Sequence, residues 1–202
     1  MIEDEYRTIE KPSEGLFKDK GSRFVSFAWP VENEETIKAI LQQVKKAHYT
    51  CNHHCYAFRL HPQGDVYRCS DDREPSGSAG RPILGQLLSY TLTDTLIVVA
   101  RYFGGNLLGV PGLINAYRNA AIDAINNATI IVKTVNAGIK ISIPYELMNE
   151  LLNVIRSESA EISKQKYGEK MTFHISVRKS RKIAFIEKLT NNTKLGPYLS
   201  IN

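Results

Sequence analysis

Cysteine is scarce in this sequence: 202 residues contain three, Cys51, Cys55 and Cys69. An odd number that small excludes a disulfide framework, so free thiols are expected. Long apolar runs are missing too. None approaches the roughly 20 residues a membrane helix needs, and the N-terminus, Met1-Ile2-Glu3-Asp4-Glu5, is acidic where a secretory signal is basic. A cytoplasmic protein with no membrane partner is expected. Glycine and proline number only 13 and 8, which excludes long disorder. Internal repeats, low-complexity tracts and heptads are absent. What is present is 43% hydrophobic and 23% charged residues, the composition of a chain that buries a core. Its length, above the usual single-domain mode, points to two domains.

Charge divides the chain. Residues 1–133 hold 15 Lys+Arg and 15 Asp+Glu, leaving 11 and 6 for residues 134–202. The whole positive excess therefore lies in the last third, where it favours a polyanion without specifying a sequence. We expect domains at 1–133 and 134–202.

In the last third, Ile139 to Ile143 and Met171 to Arg178 alternate apolar and polar residues, as central strands covered on one face do. Between them Leu147, Met148, Leu151, Leu152 and Ile155 form a helical stripe, followed by a Lys-bearing edge strand at Ile162 to Tyr167. A helix at Lys182 to Leu189 and a last strand at Tyr198 to Ile201 complete a ferredoxin-like βαββαβ order. Alternation places Lys140, Ser142, Thr172, His174, Ser176 and Arg178 on an open sheet face, with His174 expected as an ordinary surface residue. Lys140, Arg178, Lys179, Arg181 and Lys182 are the candidate nucleic-acid contacts.

In the first two thirds, Phe24 to Val31 predicts a strand. Asn33, Glu34 and Glu35 then cap and charge a helix whose stripe is Ile37, Ile40, Leu41 and Val44. His54 to Leu60 and Asp65 to Ser70 predict a hairpin around Pro62-Gln63-Gly64. A helix through Ile83, Leu84, Leu87 and Leu88 precedes a buried strand at Thr95 to Ala100, and Ile114, Tyr117, Ala121, Ala124 and Ile125 form a further helical stripe. The domain is expected to be α+β.

Two glycine-rich loops carry the unusual chemistry. In Ser70-Asp71-Asp72-Arg73-Glu74-Pro75-Ser76-Gly77-Ser78-Ala79-Gly80-Arg81-Pro82, Ser76 or Ser78 can cap the following helix. Its free amides, with Ser76, Gly77, Ser78, Gly80 and Arg81, would form an anion site. Arg101-Tyr102-Phe103-Gly104-Gly105-Asn106 and the following Leu107 to Gly112, with Gly109 and Gly112, repeat the logic, so that two helix N-termini are expected to meet. Against an anion stand Asp71, Asp72 and Glu74, which either bind a metal or cap turns and pair with Arg73, Arg81 or Arg101. Neither loop matches a known phosphate-binding pattern. Cys51-Asn52-His53-His54-Cys55 has poor zinc spacing, because alternation separates His53 and Cys55 from His54. No serine sits in a nucleophile elbow, and no metal, cofactor or catalytic residue is expected.

Taken together, Cys55-Tyr56-Ala57-Phe58, the run Ser70 to Leu84, and the run Val98 to Leu113 closely resemble the IMPACT/YigZ family over most of residues 15–130. The length and basic C-terminal part are similar to its bacterial branch. The resemblance implies an N-terminal α/β sandwich like domain 2 of a ribosomal small-subunit protein. It implies a C-terminal ferredoxin-like domain similar to the last domain of elongation factor G. Eukaryotic members act in translational control, so the resemblance implies RNA, the ribosome or a translation partner as the ligand. The alternative is an enzyme acting on a phosphorylated or anionic small molecule at the glycine loops. Arg73 stands where relatives commonly carry Gly, which argues against a positive φ there.

Overall fold

The computed structural model describes residues 4–201. In chain order the elements are β1 (Glu5–Ile9), β2 (Ser13–Asp19), β3 (Ser22–Pro30), α1 (Glu34–Ala47), β4 (His53–Leu60), β5 (Val66–Ser70), α2 (Gly80–Ser89), β6 (Thr95–Tyr102), α3 (Gly109–Asn126), β7 (Ile130–Thr134), β8 (Asn136–Ile143), α4 (Met148–Ser157), β9 (Glu161–Lys166), β10 (Met171–Arg178), α5 (Lys182–Thr190) and β11 (Ser200–Ile201). The described chain divides into two compact units, one formed by Tyr6–Lys133, the other by residues 134–201 together with Asp4 and Glu5.

The first unit is a five-stranded sheet in the order β2-β3-β6-β4-β5, antiparallel throughout. Leu96, Ile97, Val98 and Val99 of the central strand β6 are fully buried, because helices cover both faces. On one face Ile97 and Val99 join Phe24, Ala28, Cys55 and Ala57 beneath α2 and α3. On the other, Leu96 and Val98 join Phe27, Phe58 and Leu60 beneath α1. Each such aliphatic side chain contributes about 1.5–3 kcal/mol by leaving water. The sequence signals for α1 hold: Asn33 Oδ1 accepts from Thr36 N at 2.9 Å, with Glu34 and Glu35 in the first turn and Lys45 and Lys46 in the last.

Three strands lie outside the sequence expectations, namely β1, β2 and β7, although β7 falls in a β-branched run, Ile130 to Val132. In β2 the reason is steric. A Cβ at Gly15 would lie 2.4 Å from Ala124 N, so the strand needs a glycine where α3 crosses it. Alanines 116, 120, 121 and 124 let that helix approach, and Ser13 and Ser26 hydroxyls donate to the Ala124 and Ala120 carbonyls at 2.7 and 2.6 Å. β1 pairs with β7 in a separate two-stranded ribbon.

The second unit has the strand order β11-β8-β10-β9, the ferredoxin-like arrangement expected from the sequence. Ile139, Ile141 and Ile143 of β8 and Met171, Phe173, Ile175 and Val177 of β10 pack with Leu151 and Ile155 of α4 and Phe185 and Leu189 of α5. β8 begins three residues earlier than the alternation alone suggests. The last strand is shorter, since Gly196–Tyr198 forms a 3-10 turn. Residues Asp4 and Glu5 belong to this unit: Ser180 N and the Ser180 hydroxyl donate to the Asp4 carboxylate, and Glu5 pairs with Arg178 at 3.5 Å.

Candidate functional site

The loop between β5 and α2 is organised by its own carboxylates. Asp71 accepts from the amides of Gly77, Ala79 and Gly80 at 2.8, 3.0 and 2.8 Å, so it occupies the N-terminus of α2 as an internal anion. Burial pushes the Asp71 carboxyl up, but the three amides and nearby Arg81 together outweigh it and hold the group below its ordinary value. This corrects two expectations. The amides expected to bind phosphate are taken. Neither serine caps the helix either: its cap residue is Ala79, with no side-chain bond, and the Ser78 hydroxyl donates instead to the Pro75 carbonyl at 2.6 Å. Ser76 and Arg81 are exposed.

Asp72 Oδ2 accepts from His54 N at 2.7 Å. Glu74 is buried, and its Oε1 receives Arg101 Nη1 at 2.6 Å and the Tyr117 hydroxyl at 2.8 Å. The Cys55 thiol donates to the Tyr117 oxygen at 3.3 Å and to the Asp71 carbonyl at 3.0 Å. Burial raises the pKa values of both Cys55 and Tyr117 well above their usual range, so each stays protonated and donates. The three carboxylates are thus committed to separate partners. Among the described residues no three His, Cys, Asp or Glu side chains converge to hold a metal. Arg101 does not meet the expectation of an anion contact through its Nη1, which is spent on Glu74.

Arg73 corrects the sequence reading as well. Its φ is +73°, in the left-handed region that costs an L residue roughly 1–2 kcal/mol. The exposed guanidinium donates to the Asn52 carbonyl at 3.2 Å, which helps to hold the conformation.

The second loop is shaped by close backbone approach. A Cβ at Gly104 would lie 1.9 Å from the carbonyl carbon of Gly21, so only glycine fits where the β6 end crosses the β2–β3 turn. Gly105 and Gly109 have φ of +87° and +69°. Beyond them a cleft of about 390 Å³ opens, lined by His53, Arg73, Glu74, Arg101, Phe103 and the first turn of α3 among others. The two helix N-termini do not meet there, because no α2 residue lines it. Of the predicted ligand set the cleft gathers only Glu74, Arg101 and Gly109, leaving out Asp71, Asp72, Ser76, Gly77, Ser78, Gly80 and Arg81. Gly104, Gly105 and Gly112 shape the backbone beside it. Tyr102 lines an adjoining cleft of about 500 Å³ with Lys18, Lys20, Arg23 and Phe103. Asn52, Phe103, Leu107 and Val110 were given no role by sequence reasoning, and His53 entered only the zinc reading, since only folding brings β4, β6 and α3 to one place.

In the second unit, pairing register sets the open face. Lys164, His174 and Lys140 lie directly across β9, β10 and β8, and in the next row come Lys166, Thr172, Ser142 and Ser200. Lys140, Lys164 and Lys166 are exposed, and Ser142 and Thr172 hydroxyls share a hydrogen bond at 2.9 Å. His174 is not the ordinary surface residue expected: it is half-buried, with Nε2 buried and lacking a partner. Arg178, Lys179, Arg181 and Lys182 are exposed at the end of β10 and the start of α5, where Glu5 offsets Arg178. Lys164 and Lys166 join the predicted basic set only through register.

These two units define an α+β protein built on a loop-framed cleft in one unit and a bare polar sheet face in the other. The Impact N-terminal domain model matches residues 20–125, and the Domain of unknown function (DUF1949) model matches residues 141–194. The chain belongs to the IMPACT family, as its loop motifs indicated. It is 30% identical to the IMPACT family member YvyE of Bacillus subtilis over 188 residues, 93% of this chain and 87% of that one. Over 117 residues, 57% of each chain, it is 37% identical to the IMPACT family member YigZ of Escherichia coli. A crystal structure described only as that of a hypothetical protein matches with a TM-score of 0.74 and 26% identity, covering 99% of this chain and 97% of the other. No described helix is long and apolar enough to cross a membrane.

Proposed function

We propose that this protein is a non-catalytic, translation-related regulator that binds RNA, free or within the ribosome, through the open sheet face of its second unit. The observation that carries the reading is the row Lys164, His174 and Lys140 across three strands, with Lys166 in the adjoining row. Phosphates spaced along a strand meet ammonium groups there, while the serine and threonine hydroxyls supply neutral hydrogen bonds. The Arg178 to Lys182 segment extends the basic surface at one end. Membership of a family whose eukaryotic members act in translational control supports the choice of RNA over other polyanions.

The test is RNA and 70S-ribosome binding by the purified protein at 50 and 200 mM salt, beside the variant Lys140→Ala/Lys164→Ala/Lys166→Ala. If about four phosphates are neutralised on a single strand, the salt increase weakens binding roughly fifty-fold. The triple variant should bind more weakly and show a shallower salt slope. Binding that ignores salt, or that survives the triple substitution unchanged, overturns the reading.

A further inference from the structure

We propose that the two clefts flanking Phe103 in the first unit form one groove for single-stranded RNA, with a phosphate at the N-terminus of α3 and a base against the Phe103 ring. This rests on the RNA reading above and gives it a second contact surface, in the other unit.

Phe103 lines both clefts and is 46% exposed. The Arg101 guanidinium carbon lies 5.6 Å from its ring centroid, which positions a ring that is still open to a stacking partner. On one side of it Lys18, Lys20 and Arg23 face a single carboxylate, Asp19, and Arg23 lies over the Tyr102 ring at 4.6 Å. On the other side is the first turn of α3, a helix of 18 residues with no side-chain cap. Pro111 has no N–H, so the amides of Gly109 and Val110, with the helix dipole, are the donors at that end. The contrast with α2 is informative, because there Asp71 already fills the corresponding position.

A second observation points to a ligand at the same place. Arg101 is 5% exposed, its Nε has no hydrogen-bond partner, and it lines the cleft with exposed Arg73 at the rim. Glu74 also lies there, but its Oε1 is already bridged by Arg101 and Tyr117. The balance of charge around the groove is positive. The remaining lining is apolar: Leu107 is 85% exposed and Val110 46%. An inorganic ion would leave that surface uncovered. Alternation of basic groups with aromatic and aliphatic ones fits a ligand in which phosphates alternate with flat bases.

The experiment measures fluorescence anisotropy of fluorescein-labelled hexauridylate at 50 mM salt with the wild-type chain, Phe103→Ala, Leu107→Glu and the Lys140/Lys164/Lys166 triple alanine variant. Phe103 and Leu107 are exposed enough that their variants should melt with the wild type. Phe103→Ala is expected to weaken binding about ten-fold, the loss of one base stack, and Leu107→Glu should weaken it too by placing a carboxylate beside the phosphate. Unchanged affinity in both variants overturns the groove. If the triple variant alone loses binding, the groove falls and the open-face reading stands. If the Phe103 and Leu107 variants alone lose it, the groove stands and the open-face reading falls. Absence of hexauridylate binding by the wild type overturns the groove, and both readings fall if long RNA and ribosomes also fail to bind.

Discussion

Replacing Asp71 by Ala removes the acceptor of three backbone amides at once, at 2.8, 3.0 and 2.8 Å. A single hydrogen bond to a charged group contributes about 1.5–3 kcal/mol, but three sharing one carboxylate do not add, and in the variant water reaches part of this half-buried loop. Helix caps lost to Ala cost about 0.5–2 kcal/mol; with a full charge and three donors we expect about 3 kcal/mol, or a fall in Tm of about 10 °C for a unit of this size. The Asp71 carboxyl is held below its ordinary value, so its stabilisation is fully present above the unfolded value near pH 4 and is lost as pH falls through the lower folded value. Thermal melts of wild type and Asp71→Asn across pH 2.5–7 should therefore show a constant gap at neutral pH that closes in acid. Because Asp71→Ala vacates an anion position, inorganic phosphate should raise the variant's Tm more than that of the wild type. A variant melting within a degree of wild type, or a gap that persists unchanged at the acid end, refutes the assignment of Asp71 as an internal anion.

Glu74→Ala should destabilise the first unit by about 3–5 kcal/mol in urea unfolding, because it leaves the Arg101 charge buried and unpaired; the double variant with Arg101→Met should recover much of that loss, and additive losses would argue against a coupled pair. Arg73→Gly relieves a φ of +73° and should stabilise by about 0.5–1 kcal/mol, read as a Tm rise of a few degrees; a fall would show that the Arg73 bond to Asn52 outweighs the strain.

Local pattern in the sequence determined much of the second unit. Alternation in β8 and β10 sends isoleucines one way and Lys140, Ser142, Thr172 and His174 the other, and the α4 stripe has one apolar side, so period alone assigns faces. The same holds for Asn33 and α1, whose cap is made by residues three apart. The glycine-rich loops were legible as sites of special backbone and, through their motifs, as the mark of a family. Which donor meets which acceptor was not legible there. Asp71 binds amides six to nine residues on and thereby closes a site that spacing suggested was open, while Glu74 finds Arg101 and Tyr117 only after three elements pack. Lys164 and Lys166 reach the basic face because β9 pairs with β10 past a register shift after His174, and the cleft beside Phe103 needs β4, β6 and α3 together. Short-range sterics and periodicity act within a few residues and can be read from the chain; competition among charged groups for a few buried donors depends on distances that tertiary packing alone sets.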